Sequence, residues 1–287
     1  MALLLKKPNT YNQAKRYKLV SYKEDMKNVY SMVKDCRNGL PIYITNAIRK
    51  DIWYIFVKAI GNVSCTVIVE SELPASWPVP INCSLEYWPG SWYRDFIKSS
   101  LPTPTQRKQT ADINKDFFLL YGTYEYQREV IVQRLEQLNI LNNSLYSRPD
   151  RSIEGTRKIT KDQRINNNQN VLRMQEYSYQ CQCWIVIENF ALDENYSGTI
   201  DMKIVQAIYS GVPWIYIGNT KAHHTLARWG FKNHEEPRFT EQSVMEQLSY
   251  LKMLFSQPKL AQEWQASQNN SIIQNQKNLV NIMNEKF

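Results

Sequence analysis

Residues 184–218 have the sequence WIVIENFALDENYSGTIDMKIVQAIYSGVPWIYIG, and this stretch decides the fold. An apolar strand ends at Glu188 and Asn189, and a polar loop follows it. A helix with Lys203 near its start then leads through Gly-Val-Pro into a second apolar strand, which ends at Gly218. The pattern predicts one βαβ unit with polar groups at its loop end. Ligands of open α/β sheets bind outside the carboxyl ends of the strands, where helix N-termini receive phosphate. Our hypothesis is therefore a nucleotide-sugar site.

The start of this helix carries two candidate ligand contacts. Lys203 stands in the first turn, where the helix dipole disfavours a cation unless an anion is bound there as well. Asp201 precedes it and has two interpretations. It either caps the helix or binds a ribose hydroxyl of the donor.

A strand followed by a turn and a helix precedes it, at residues 115–138. The pattern is a strand, a turn at Gly122 and an amphipathic helix with apolar residues at 130, 132, 135 and 138. Arg128 lies near the start of that helix, where its two-pronged guanidinium suits a diphosphate. The alternative is an arginine that is merely exposed.

These motifs resemble the donor half of the fucosyltransferase-like glycosyltransferases, a family with small viral and bacterial members. The family pattern is an apolar strand, Glu-Asn or Glu-Thr, then Thr/Ser-Glu-Lys at a helix start, Gly-x-Pro, and a strand ending in Gly. The matching residues here are Glu188, Asn189, Lys203, Gly211, Pro213 and Gly218. Residues 117–147 resemble the strand, Arg-bearing loop and helix that open the same half-domain, with Arg128 at the phosphate-facing position. The resemblance covers residues 115–235.

The chain departs from the family at one point. Met202 stands where the family has Glu, and Asp201 stands where Thr or Ser is usual. A carboxylate that holds the donor ribose is therefore missing or displaced by one residue.

The rest of the chain completes a two-lobed plan. A helix from Met26, a strand, a helix from Ala47 and the strand CTVIV predict a parallel α/β unit, and residues 99–114 have the composition of a linker. We expect a basic acceptor lobe at 1–105, a nucleotide-sugar lobe at 106–240, and helices at 241–287. The resemblance implies two Rossmann-like lobes of the GT-B-like kind, with the last helix crossing back to the first lobe.

Two carboxylates, Glu70 and Glu72, follow the strand CTVIV. They would lie at the carboxyl end of a parallel strand, where ligands are met. A glycosyltransferase that inverts its sugar needs a base for the acceptor hydroxyl, and either residue fits that role. Equally, one of them caps the next segment or pairs with a lysine.

Charge is concentrated at the N-terminus of the chain. The net charge is +8, and residues 1–60 carry 12 Lys or Arg against 4 Asp or Glu. A basic lobe favours a polyanionic partner, with Lys15 and Arg16 among tyrosines as acceptor contacts; a solvated basic face is the alternative. Trp88 and Trp92 lie in an aromatic loop that would stack on an acceptor or simply pack between the lobes.

Composition limits the remaining possibilities. No apolar run reaches about eighteen residues, so we expect no membrane span and a cytoplasmic protein. Five cysteines in mostly apolar segments favour reduced thiols. With no Asp-x-Asp pair at a strand end and no second Cys/His cluster near CQC, we expect no metal and no cofactor.

The predicted function is transfer of a sugar from a UDP- or GDP-sugar to a hydroxyl. The acceptor would be a hydroxymethylated base in viral DNA, or else a glycan or protein. The alternative is a nucleic-acid-binding protein on a decayed glycosyltransferase fold, for which Met202 is the best evidence.

Overall fold

A computed structural model describes residues 9–18, 22–45, 47–88, 113–121, 126–147, 175–188, 191–198, 200 and 202–285, which form two α/β lobes. The predicted α/β class with two parallel sheets is confirmed. The elements of the first lobe are β1 (Lys15–Lys18), α1 (Tyr22–Arg37), β2 (Ile42–Thr45), α2 (Lys50–Ile60), β3 (Cys65–Val69) and β4 (Cys83–Tyr87).

The first sheet is parallel throughout, with the strand order β1-β2-β3-β4. Because consecutive strands are neighbours, right-handed crossovers place α1 and α2 on the same face. Both helices bury an apolar side against this face, with Met32 from α1 and Trp53 and Phe56 from α2 fully enclosed. The opposite face carries a smaller cluster around Tyr43 and Trp88.

The second lobe contains the stretch that decides the fold. Its elements are β5 (Lys115–Leu119), α3 (Tyr126–Gln137), β6 (Leu145–Tyr146), β7 (Cys181–Ile187), α4 (Met202–Ser210), β8 (Trp214–Ile217), α5 (Thr220–Arg228), α6 (Glu241–Phe255) and α7 (Pro258–Glu285). The sheet order is β6-β5-β7-β8, and every pair is parallel. Helices α3 and α6 pack on one face and α4 and α5 on the other. Since both faces are covered, the central strands are largely apolar, as the run WIVI predicts, with polar residues only near the amino ends of β5 and β7.

Several Asn and Gln side chains of the last helix, α7, bind backbone groups of the second lobe. Asn275 donates to the carbonyl of Lys232 at 2.8 Å and accepts from its amide at 2.8 Å. Gln276 donates to the carbonyl of Tyr209 at 3.2 Å. These contacts attach α7 along the second lobe, and the crossing to the first lobe stays a prediction.

Several element bounds differ from those expected. The helix expected from Met26 begins at Tyr22, and the helix expected from Ala47 begins at Lys50. The short strands β1 and β4 were not predicted, since KRYK and CSLEY lack a continuous apolar run. The linker at 99–114 lies almost wholly outside the described residues. Thr240 caps α6 in a capping box with Ser243, as its position before the helix predicts.

Two histidines are enclosed in the second lobe and are held neutral there. His223 lies edge-on to Tyr216 and Phe239, with ring centroids 5.0 and 5.3 Å away, and burial lowers its pKa to about 4. His234 faces the ring of Trp214 and bonds Gln268 at 3.1 Å; burial lowers its pKa to about 4 as well. In the unfolded chain both would titrate near 6.5.

The fold should therefore lose stability as the pH falls from about 6.5 to about 4, because only the unfolded chain takes up protons in this window. His223→Phe should remove about 2 kcal/mol of the loss in unfolding free energy between pH 7 and pH 5, measured by urea denaturation. His224→Gln, at the exposed neighbour, is the control and should leave the acid sensitivity in place. An unchanged pH dependence in His223→Phe would contradict the buried neutral state.

Candidate functional site

The carboxyl edges of the two sheets meet along a seam made largely of backbone pairing. An antiparallel bridge joins Arg49 to Tyr196, and another joins Glu72 to Gly198. The amide of Ser197 donates to the carbonyl of Ile48 at 2.9 Å. The loops that follow β2 and β3 are thus fixed to the loop that follows β7.

Side chains reinforce this seam. Glu72 accepts a hydrogen bond from the hydroxyl of Thr225 at 2.6 Å and forms an ion pair with Arg228, both on α5. The amide of Ile48 donates to the Ser197 hydroxyl at 2.8 Å. Glu72, which was predicted as a candidate base, therefore connects the first lobe to the second. The sequence left open that one of the two glutamates pairs with a lysine; the partner of Glu72 is an arginine, Arg228.

A cavity of about 700 Å³ opens beside the seam. Its walls come from the start of α2 and from the loop after β7, and the lining residues are Arg49, Lys50, Asp51, Tyr54, Ile55, Asp193, Asn195 and Tyr196. Arg49 pairs with Asp51 at 2.6 Å. Cations, carboxylates, an amide and two phenol rings provide the donors, acceptors and stacking faces that a hydroxyl-rich or phosphorylated ligand requires.

The second sheet has its topological switch point between β5 and β7. The chain leaves β5 for α3 on one face and leaves β7 for α4 on the other. Ligand crevices form at such points in open α/β sheets. Arg128 in the first turn of α3 and Glu188 directly after β7 lie on the two sides of this point, and both are buried.

Arg128 is enclosed rather than exposed, so the alternative of a surface arginine is wrong. Its side chain is 1% exposed, and its guanidinium carbon lies 5.8 Å from the ring centroid of Tyr121. The neighbouring Gln127 donates to the Asp193 carboxylate at 2.8 Å, which joins α3 to the cavity wall. A guanidinium held in this way has a fixed direction before any ligand arrives.

Two residues that the sequence did not single out organise the loop after β7. Asn219 caps α5 by accepting from the amide of Ala222 at 3.0 Å, and its own amide donates to the carbonyls of Asp193 and Tyr196. Glu194 accepts from the amide and hydroxyl of Thr220 at 2.9 and 2.6 Å. The sequence signal that could have identified them is the pair of polar segments DEN at 193–195 and GNT at 218–220, which follow β7 and β8.

The carboxylate of Glu194 binds the N-terminus of α5, the position that an anionic ligand would otherwise take. Burial opposes its ionisation, but hydrogen bonds from Thr220 and Lys221 prevail and lower the pKa of the carboxyl group. The end of this helix is therefore already neutralised. Among the helices that follow β7 and β8, α4, with Lys203 partly buried in its first turn, is the remaining phosphate candidate.

Gly218 follows β8 and has a packing role. A Cβ at this position would lie 2.5 Å from the ring of Tyr216, so the ring occupies the space that a side chain would need. Three further predicted contacts, Asn189, Asp201 and Trp92, lie outside the described residues.

Of the predicted acceptor contacts in the first lobe, Lys15 and Arg16 are exposed and contact neighbouring side chains, whereas Trp88 is buried. Lys15 pairs with Asp35 at 2.8 Å, at the amino end of the sheet. Arg16 lies over the ring of Tyr11, and Trp88 packs against that ring with no exposed surface. Trp88 consequently offers no ring face to an acceptor, because both faces are enclosed in the core.

Glu70 lies in a more enclosed setting than Glu72. It follows β3 directly, is 8% exposed, and its backbone amide donates to the carbonyl of Ile44 at 2.9 Å. Burial and, after it, the nearby charge of Glu70 raise the pKa of Tyr87. Tyr87 also contacts Trp229 of the second lobe, with ring centroids 5.7 Å apart, so this carboxylate lies close to the seam.

The comparisons leave the family open. No protein-family model, curated protein or solved structure matches the chain. Within the described ranges, no helix has the length and apolar character to cross a membrane, and no cluster of three or more His, Cys, Asp or Glu is arranged to hold a metal ion. The glycosyltransferase resemblance therefore stays a prediction.

Replacing Glu72 by Gln should loosen the seam without unfolding either lobe. The side chain of Arg228 is 45% exposed, so we expect a loss of ~1 kcal/mol. Hydrogen exchange at the amides of Ser197 and Gly198 should then be roughly fivefold faster. Glu263→Gln on α7, which breaks an exposed pair with Lys259, is the matched control. Unchanged exchange at these two amides would show that backbone pairing alone holds the seam.

Proposed function

We propose that the protein is a glycosyltransferase that transfers a sugar from a UDP- or GDP-sugar to an acceptor hydroxyl, with a GT-B-like arrangement of its two lobes. The observation that carries the proposal is the convergence of two parallel sheets at their carboxyl edges. Arg128 and Glu188 flank the switch point of the second sheet. A cavity between the lobes provides room for the second substrate.

Charge stabilisation at the leaving group falls to Arg128 and Lys203. When the bond between the sugar and the diphosphate breaks, negative charge grows on the phosphate oxygens. A fixed guanidinium and a lysine at a helix N-terminus oppose that charge, and stabilisation of this kind supplies much of the rate enhancement in many enzymes. Arg128 is supported in this role by its enclosure against Tyr121.

Glu188 orients the donor hydroxyls in this proposal. It stands immediately after β7, and its amide donates to the carbonyl of Ile217 at 3.0 Å, which fixes the backbone at the strand end. Asn189, and Asp201 in place of the family's glutamate, complete the donor contacts. Gly218, which follows β8, leaves room for the ring of Tyr216.

Glu70 is the proposed base. The acceptor oxygen attacks the anomeric carbon, the bond to the diphosphate breaks, and the carboxylate of Glu70 takes the proton from the hydroxyl. Glu72 is less suited, because Thr225 and Arg228 already engage its two oxygens. Removing the proton in the transition state is worth about a hundredfold or more in rate.

The acceptor is a hydroxyl compound that reaches the cavity between the lobes. The excess of cations in residues 1–60 favours a nucleic acid, with a hydroxymethylated base of viral DNA as the acceptor. A glycan or protein acceptor is the ordinary alternative. Steep salt dependence of transfer separates the first from the second.

A second candidate function is nucleic-acid binding without catalysis, on a decayed transferase fold. Met202 favours it, because this residue stands where the resembling family has a ribose-binding glutamate. Retained binding of a nucleotide sugar would argue against decay.

Calorimetric titration of UDP, GDP and their sugar conjugates into the wild-type protein tests the donor site. One nucleotide should bind in the micromolar range, and Lys203→Ala should weaken it by about 1.5 to 3 kcal/mol, as expected for a charged hydrogen bond. Lys277→Ala, at an exposed position on α7, should have no effect. If no nucleotide binds while duplex DNA binds in a salt-sensitive way, the enzyme proposal fails and the binding module replaces it.

Glu70→Gln tests the base once a donor is known. The variant should lower kcat by about a hundredfold or more, because an amide does not accept the hydroxyl proton. Donor affinity should be unchanged, since the residue lies in the other lobe. A full rate with Glu70→Gln would assign the proton to another group. Glu263→Gln serves as the remote control.

A further inference from the structure

The outward face of α1 carries cations and a tyrosine at helical spacing. Lys27, Tyr30, Lys34 and Arg37 follow one another every three or four residues, and all are exposed. Residues at this spacing lie on one side of a helix. Tyr30 is 78% exposed, so its ring is available to a ligand rather than to the core.

Helix α2 repeats the arrangement with Lys50, Tyr54 and Lys58, which are spaced by four residues and exposed. Tyr54 is 42% exposed. Since α1 and α2 pack on the same face of the sheet and contact each other, the two rows lie side by side on the outside of the first lobe. We call these seven residues the α1–α2 face.

A groove of about 550 Å³ runs between the two rows. Tyr30, Lys34 and Arg37 line one side, and Ile55 lines the other. Ile55 also lines the cavity between the lobes, together with Lys50 and Tyr54 of the α1–α2 face, so this face extends to the edge of that cavity. A chain-like ligand seated in the groove would be led to the carboxyl edge of the sheets.

Among the described side chains, the acidic groups near this face are withdrawn or paired. Asp25 is fully buried, Asp35 is buried and binds Lys15 and Tyr17, and Asp51 pairs with Arg49. Within the part of the chain that the structure describes, the five cations of the α1–α2 face form no ion pair. The five cations therefore present unneutralised positive charge on this face.

We propose that the α1–α2 face binds single-stranded nucleic acid. The cations contact the phosphates, and Tyr30 and Tyr54 stack on bases, the combination that binds single strands without sequence preference. Duplex DNA keeps its base faces hidden, so the tyrosines favour the single strand. The binding does not depend on glycosyl transfer, although the adjoining cavity would receive a nucleotide acceptor if the proposed function holds.

The test measures fluorescence anisotropy of a labelled thymidine homopolymer and of a duplex of equal length over a salt series. The variant Lys34→Gln/Arg37→Gln/Lys58→Gln should weaken single-strand binding about a hundredfold. It should also reduce the slope of log K against log salt by about 2, from about 0.7 for each lost phosphate contact. Tyr30→Leu and Tyr54→Leu should each weaken binding about tenfold and leave the slope unchanged.

The matched control removes the same charge from exposed positions of the second lobe, as Lys232→Gln/Lys259→Gln/Lys277→Gln. Equal weakening in this control would overturn the proposal, because net charge alone would then explain the binding. The proposal would also be overturned if the duplex bound as tightly as the single strand and the two tyrosine variants left the affinity unchanged. Exclusive binding of heparin or of anionic lipid vesicles would overturn it as well. Nucleotide titration into the α1–α2 variant should be unaffected, which separates failure of this inference from failure of the transferase.

Discussion

Close approach of backbone at Gly198 is the constraint on which the relation between the lobes depends. A Cβ at this position would lie 2.6 Å from the carbonyl carbon of Lys221 and 2.7 Å from the amide nitrogen of Ala222. Any larger residue would push the loop after β7 off the start of α5. The same glycine pairs with Glu72 across the seam. Because Gly198 has no side chain, the loop after β7, the loop after β3 and the start of α5 can meet at this point.

Hydrogen bonds fix the loop after β7, in addition to the apolar contacts that Ala191, Leu192 and Ile200 make with the core. Asn219 spans it from the cap of α5, and Glu194 binds the N-terminus of the same helix. Because the protein's own carboxylate neutralises α5, a bound phosphate has less to gain there than at α4. The cavity wall is in this way shaped before a ligand binds, which reduces the ordering cost of binding.

Local pattern predicts those parts of the fold that local interactions form. The apolar runs WIVI and WIYI and the cap at Thr240 identify β7, β8 and the start of α6. The strand KRYK is not recognisable in the same way, since its pairing with β2 comes from the sheet. Nor does any local signal pair Glu72 with Arg228, which is far away in sequence and lies beside it only in the folded arrangement of the two lobes. The burial of Arg128 and Trp88 is likewise not predictable from local sequence, because it depends on packing against segments distant in the chain.

The two lobes use positive charge in opposite ways. In the second lobe, Arg128 is enclosed at the switch point and Lys221 is bound to Glu194, so cations there act at one place and at short range. In the first lobe, cations on α1 and α2 stand in water, where each contact is weak but the field of many adds up. The enclosed guanidinium of Arg128 has a fixed orientation, whereas the exposed row of cations attracts anions at longer range. If the proposed transfer to a polyanionic acceptor holds, the two kinds of positive charge must stay apart, because a polyanion bound at Arg128 would occupy the donor site.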